Sequence, residues 1–255
     1  MTIRSQGRAD LHMHTTVSDG LMTPQQLLDH VARRGNLNII AITDHDRIDA
    51  SVWAYARRER YPFDIVPGVE VSSAEGHILA LWVTEPIPAG LSMAETAAAI
   101  HQIGGVAILA HPFFTQMGRI RMAARIYRRD PEYLLHTGID GLEGYNASVV
   151  LPGTNFAAQK VARFLGLPVT GGSDAHTLGA LGTGTTLFNG RLGDELRACL
   201  MAGQTSVEGR PWPLREYGNF VADFISRRGK IVLDELDLPE TDEDHENPAA
   251  AYETR

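Results

Sequence analysis

The sequence predicts an α/β fold of βα units around a parallel sheet, and three observations predict it. Short apolar runs alternate with longer amphipathic segments, the pattern expected when each strand is followed by a crossover helix. The 255 residues suit one barrel-sized domain as well as two smaller ones. Hydrophobic residues make up 44% and charged residues 21%, so the chain can bury a core; disordered, collagenous and coiled-coil classes are excluded.

The elements follow in order. Candidate strands cover residues 9–12, 38–43, 64–71, 77–83, 106–110, 141–145 and 168–171. Thr23 and Pro24 supply an N-cap and a first-turn proline for a helix over 25–34, which Gly35 stops. Helices are expected over 91–104, 118–136, 154–165 and 194–202, with Gly, Pro or Asn at many boundaries. The stretch 203–229, with Trp212, Pro213 and Tyr217, reads as a last strand and helix closing the fold, and no chemistry is assigned to it. One connection breaks the alternation. Six residues separate Glu70 from His77, too few for a parallel crossover, so their strands form a hairpin that brings the two side chains together.

The net charge of −8 is not spread evenly. Nine acidic residues and one arginine lie in 234–255, leaving 22 acidic and 22 basic residues in 1–233. The reading is therefore a domain over 1–233 and an acidic, disordered tail over 234–255. A neutral body offers no basic stripe, so no duplex nucleic-acid partner is expected. Cys199 is the single cysteine and cannot form an internal disulfide. Neither a signal-like start nor an eighteen-residue apolar run is present, and the expected location is cytoplasmic, with no membrane partner.

Six of the ten histidines, His12, His14, His45, His77, His111 and His176, fall at strand ends or in the turns beside them. Ligands of α/β sheets collect outside the carboxyl ends of the strands, so these side chains are expected to converge. His12 and His14, two apart on a strand, face one way, with Asp19 in the loop above. Thr43-Asp44-His45-Asp46 ends the second strand, and Glu70 ends the apolar run Pro67-Gly68-Val69. A Glu buried among histidines is costly unless cations share it. Ala110-His111-Pro112 and Gly172-Ser173-Asp174-Ala175-His176 complete the set. Glu75, in the hairpin turn, and Glu143, mid-strand, rank below Glu70. Singly, each cluster also fits a satisfied core histidine or a plain turn; jointly they point to metal.

The set HxH…D, TDHD, GVE, AHP and GSDAH, in this order over about 180 residues, resembles the polymerase-and-histidinol-phosphatase (PHP) family of metal-dependent phosphoesterases. The resemblance implies a distorted seven-stranded (β/α) barrel with a trinuclear centre at its C-terminal face. It further implies that His12, His14, Glu70 and Asp174 hold one metal, that Glu70 bridges to a second held by His111, and that Asp19, His45 and His176 hold the third. His77 resembles a histidine found after that glutamate in many members; Val83 stands where a further ligand is often seen, so the expected second site is either weak or leans on His77. Imidazoles and carboxylates without thiolates suit two or three divalent transition ions, Mn or Zn before Fe.

The expected reaction is attack of a metal-activated hydroxide on a small phosphate ester, of a nucleotide or a sugar. Asp19 or His176 would protonate the leaving oxygen, with Asp44 and Asp46 as alternatives or as groups orienting a neighbouring histidine. Arg119 and Arg121, beyond His111, are the candidate phosphate clamp; a solvated helix start is the plainer reading of both. Phe113 and Phe114 are candidate stacking groups or core, and Tyr145 and Asn146 candidate pocket walls. The alternative activity is an oligonucleotide-end nuclease or phosphodiesterase. An amidohydrolase-type C–N hydrolase is less supported, because no lysine stands at a candidate strand end, and a non-catalytic metal-binding module is the remaining alternative.

Overall fold

Proline and glycine placement decides how the strands divide. In the computed structural model, which describes residues 6–113, 129–151 and 153–235, the chain falls into two units, one ending at Phe220 and one starting at Val221. The first unit contains β1 (Gln6–Asp10), β2 (Ile39–Ile40), β3 (Asp64–Ile65), β4 (Gly68–Ser72) and β5 (His77–Leu81). It continues with β6 (Val106–Leu109), β7 (Gly141–Asn146), β8 (Val169–Gly172), β9 (Gly184–Asn189) and β10 (Ser206–Gly209). Helices are α1 (Pro24–Arg34), α2 (Asp49–Tyr55), α3 (Met93–Gln102), α4 (Thr154–Leu165), α5 (Gly193–Met201) and α6 (Leu214–Glu235), which begins in this unit.

The α/β class is as expected; the continuous seven-stranded barrel is not. Two five-stranded sheets form, in the orders β10-β9-β1-β2-β3 and β4-β5-β6-β7-β8. Within the described sheets, β1–β2–β3 and β6–β7–β8 pair in parallel and the remaining strand neighbours are antiparallel. The strand expected over 64–71 splits because Pro67 has no N–H to give a ladder. β4 and β5 form the expected hairpin, with Ser72 opposite His77. Single bridges, Met13 to Ala175 and His45 to Glu70, join the two sheets at both seams, on the side where the histidines lie. What closes is a two-leaved shell, stitched at one rim.

The helix signals hold where they can be followed. Thr23 and Gln26 make a reciprocal capping box on α1, and Gly35 ends it in the left-handed region at φ 61°. Ser92 and Glu95 do the same for α3. α4 has the predicted bounds. Most of the helix expected over 118–136 lies outside the described residues; its end, Pro131–Thr137, is a 3₁₀ turn. The acidic stretch 236–255 and the side chains of Arg119, Arg121 and Phe114 also lie outside them. α2 and β9 are unexpected. β9 runs antiparallel to β1, and its backbone approaches glycines so closely that a Cβ on Gly171 would stand 2.5 Å from the Thr185 carbonyl oxygen. Side chains too small to show a hydrophobic period permit that approach.

Between the leaves lies an apolar plug that includes Ala9, Leu11, Ile39, Leu79, Leu81 and Ile108. On β5 the alternation is clean: Ile78 and Ala80 pack in the cluster beneath α3, whereas Leu79 and Leu81 face the plug. His77 and Glu70 share the inward parity of Leu79, its register partner being Glu70, one pair nearer the rim. Among the described residues, no helix is long and apolar enough to cross a membrane.

Candidate metal centre

A carboxylate with 1% exposure occupies the middle of the rim. Glu70 Oε2 lies 3.2 Å from His12 Nε2, 3.3 Å from His14 Nε2 and 3.1 Å from His45 Nδ1. Its Oε1 lies 3.0 Å from His77 Nδ1 and 3.1 Å from His111 Nε2. Five imidazoles from four chain segments thus share one buried carboxyl group. Asp174 Oδ1 adds a second carboxylate, 3.2 Å from His14 Nε2 and 3.5 Å from His12 Nε2. At the outer edge, Asp19 Oδ2 lies 3.1 Å from His176 Nε2 and 3.9 Å from His45 Nε2.

Neighbouring groups aim these rings. Glu143 Oε1 takes His12 Nδ1 at 3.0 Å, which leaves His12 Nε2 facing the cluster. The other Glu143 oxygen accepts from the His111 backbone N–H at 2.8 Å and from Asn146 Nδ2 at 2.9 Å. Asn146 and Ser148 in turn donate to Asp174 Oδ2. His176 Nδ1 is 2.9 Å from the Asp174 carbonyl, which directs Nε2 toward Asp19. Among the described residues, three of the four non-glycine residues with positive φ are Asp46, His111 and Asp174, so the backbone is strained where it presents this cluster.

The donor set fits divalent ions. The ring atoms His12 Nε2, His14 Nδ1, His14 Nε2 and His77 Nδ1 are buried without a hydrogen-bond partner. Carboxylate oxygens lie close to three of them, yet out of hydrogen-bond alignment, and the geometry outweighs the bare distance here. Atoms that converge without bonding one another are arranged as ligands around shared cations. Among the described residues, four groups bring three or four ligand atoms within 4.8 Å of one another: His14, Asp19, His45 and His176; His12, His14 and Asp174; His12, Glu70 and His111; and His45, Glu70 and His77.

The electrostatics agree. Burial opposes charge on His14, but Asp174 and Glu70 beside it outweigh burial and lift it to about 10. Burial likewise opposes charge on His12, and Asp174, Glu70 and Glu143 override it. Glu70 and Asp174 are held well below the usual carboxylate range against the cost of burial, chiefly by His12 in each case. Burial pushes Asp19 up, and the His176 ring beside it more than reverses this. The cavity calls for positive charge, which protons and metal ions supply in competition, so ion binding releases protons.

All nine expected ligands therefore meet at one rim. Asp44 is placed differently from the expected acid: its oxygens accept from the Thr15 N–H and hydroxyl and from Ser18 Oγ, which fixes the loop that carries Asp19. Asp46 accepts from the Ser72 N–H and donates its own N–H to the Glu70 carbonyl, securing the His45 seam. Phe113 is core. Glu143 joins none of the four ligand groups, as its rank below Glu70 expected, but it orients the His12 ring, a role sequence reasoning did not give it. A further departure is the segment given no chemistry: Trp212, Tyr217 and Phe220 line the cavity of about 280 Å³ above the ligands, together with Ser148 and Val150.

A family model described as the PHP domain matches residues 10–131, and one described as PHP-associated matches 152–205. An uncharacterized protein of Methanocaldococcus jannaschii is 31% identical over 151 residues, which are 55% of this chain and 82% of that protein. The chain belongs to the PHP family. A phosphoribosyl 1,2-cyclic phosphate 1,2-diphosphodiesterase of Eggerthella lenta is 40% identical over 86 residues, 31% of this chain and 32% of that one. A 5'-3' exoribonuclease of Salmonella typhimurium is 41% identical over 86 residues, 31% and 29% of the two chains. The chain thus spans about a third of these PHP relatives with assigned activities. In fold it resembles a two-domain protein of Bacteroides vulgatus described as containing a predicted PHP-like metal-dependent phosphoesterase, with TM-score 0.62 and 18% identity over 81% of this chain and 65% of that one.

Proposed function

We propose that this chain hydrolyses a small phosphate ester at a centre of two or three divalent transition ions, with manganese or zinc favoured over iron. As a PHP-family protein it is a metal-dependent phosphoester hydrolase. The observation that carries the finer reading is Glu70, a fully buried carboxylate faced by five imidazoles. His12, His14, Glu70 and Asp174 would hold one ion, Glu70, His77 and His111 a second, and Asp19, His45 and His176 a third. Bound ions would lower the pKa of water to make a nucleophile and neutralise charge on the phosphoryl oxygens. The chain's own groups do the rest. With only the first two ions bound, His176, whose Nε2 lies 3.1 Å from Asp19 Oδ2, is placed to hand a proton to the leaving oxygen. No Lys or Arg lines the cavity among the described residues, so Arg119 or Arg121 is proposed as the phosphate clamp.

The small cavity supports a small ester, since ligand pockets run to about 300–1,000 Å³. The likeness to the exoribonuclease favours a second reading, an enzyme that trims oligonucleotide ends. Protein loaded with manganese and assayed on an aryl phosphate monoester, the matching diester and a single-stranded oligomer separates the readings. Turnover of the monoester, lost in His14→Ala with the fold retained, is the expected result. Faster release of mononucleotides from the oligomer would select the nuclease, and turnover of none of the three would remove the proposal.

A further inference from the structure

Ligating residues make only one side of the cavity. The aromatic residues of its lining, Trp212, Tyr217 and Phe220, come from a segment beyond residue 205, where the matches to both family models end. After β10, the backbone N–H groups of Arg210 and Trp212 bond the Thr183 and Ala147 carbonyls, carrying the chain across the rim. Trp212 Nε1 donates to the Ser173 carbonyl at 2.7 Å, one residue before Asp174. Tyr217 Oη donates to the Ala147 and Ser148 carbonyls at 3.1 and 3.2 Å. Both polar tips are therefore spent on backbone, and the rings present apolar surface to the cavity.

The rings continue outward from the metal cluster. The Phe220 centroid lies 4.6 Å from that of His176 at 59°, Trp212 lies 5.9 Å from His176, and Trp212 and Tyr217 are 5.1 Å apart. Trp212 is 5% exposed and forms the floor, whereas Tyr217 and Phe220 are half-buried walls. A group entering beside Asp19 and His176, where the leaving oxygen is expected, meets these faces next.

We propose that Trp212, Tyr217 and Phe220 form a subsite that stacks a planar aromatic ring carried by the leaving alcohol, selecting nucleotide-like esters over bare sugar phosphates. The inference rests on the phosphoesterase reading. A bare sugar would bring hydroxyls to a wall of ring faces whose Trp212 N–H and Tyr217 O–H are already donated to backbone carbonyls. Ser148, the one aliphatic hydroxyl in the lining among the described residues, already donates toward Asp174 and Asn146, and a sugar hydroxyl left unpaired there is penalised. A base offers its faces without that cost, and stacking one on an aromatic side chain is worth about 1–3 kcal/mol, roughly 5- to 150-fold in affinity.

The test compares adenosine 5′-monophosphate with ribose 5-phosphate on the manganese-loaded full chain, because the two share the ester linkage and differ in the base. The expected kcat/KM ratio favours the nucleotide by about tenfold or more; Phe220→Ala cuts that ratio about tenfold, and Phe220→Tyr preserves it. Tyr217→Leu serves as the second variant if Phe220→Ala does not fold. Adenosine alone, followed by ligand-observed NMR, supplies a readout independent of turnover: its binding to the wild type should weaken about tenfold in Phe220→Ala. Equal kcat/KM for both esters, with adenosine unbound, overturns the subsite and leaves the phosphoesterase standing. Turnover of neither ester, with adenosine still bound through Phe220, removes the phosphoesterase reading and keeps the ring site.

Discussion

Two layers of one interior differ sharply although the same strands build both. Within the leaves, Leu79, Leu81 and Ile108 form a dry plug in ordinary strand geometry. One step along β5 brings His77, and beyond the ends of β1, β6 and β8 come His12, His111 and Asp174. There the backbone adopts positive φ at His111 and Asp174, ring nitrogens of His12, His14 and His77 lack hydrogen bonds, and a carboxylate is buried. The difference teaches a division of labour: close-packed apolar side chains stabilise the shell, and that stability tolerates a polar cluster which would otherwise destabilise it.

The comparison can be broken from the polar side first. Glu70→Gln keeps the shape and removes the charge shared by five imidazoles. It should cost on the order of a thousandfold in phosphoesterase rate, several kcal/mol of transition-state stabilisation, with fewer ions bound by elemental analysis. Unchanged ion content would sink the hub assignment. Leu79→Ala strikes the plug and should lower unfolding free energy by about 2–5 kcal/mol in denaturant titration, while the folded fraction keeps its ion stoichiometry.

Finer changes sharpen the contrast. Chelation should lower the thermal midpoint of the wild type, since ions present at a hundred times their dissociation constant contribute about 2.7 kcal/mol, and the Glu70→Gln midpoint should respond less. Glu143→Gln should weaken ion affinity about 10- to 100-fold by misdirecting His12, with secondary structure intact by circular dichroism. Thr23→Ala, remote from both layers, removes a capping box and should cost about 1 kcal/mol in stability with no change in ion binding.

The polar layer was the more legible of the two in sequence. HxH, Glu70, His111 and the Asp174–His176 pair declared themselves because ionisable residues terminating apolar strands are conspicuous, and the six-residue spacing to His77 dictated the hairpin. Glu143 was weighed only as a weaker ligand, because its orienting role depends on neighbours across the sheet and appears only when β7 faces His12 and His111. β9 escaped because glycine and threonine approaching other backbones carry no hydrophobic period. The single barrel failed for a related reason. Periodicity locates strands, whereas the gap between β3 and β4 at Pro67 and the isolated bridges at the seams are matters of hydrogen-bond register.

Those seams carry a mechanical consequence. His12, His14 and His45 follow strands of one leaf, while Glu70, His77 and His111 belong to the other, so an ion held in common is a rivet between them. The supply of divalent ions would then govern how tightly the shell is fastened as well as whether it turns over, and a starved cell would hold this protein with its clasp undone.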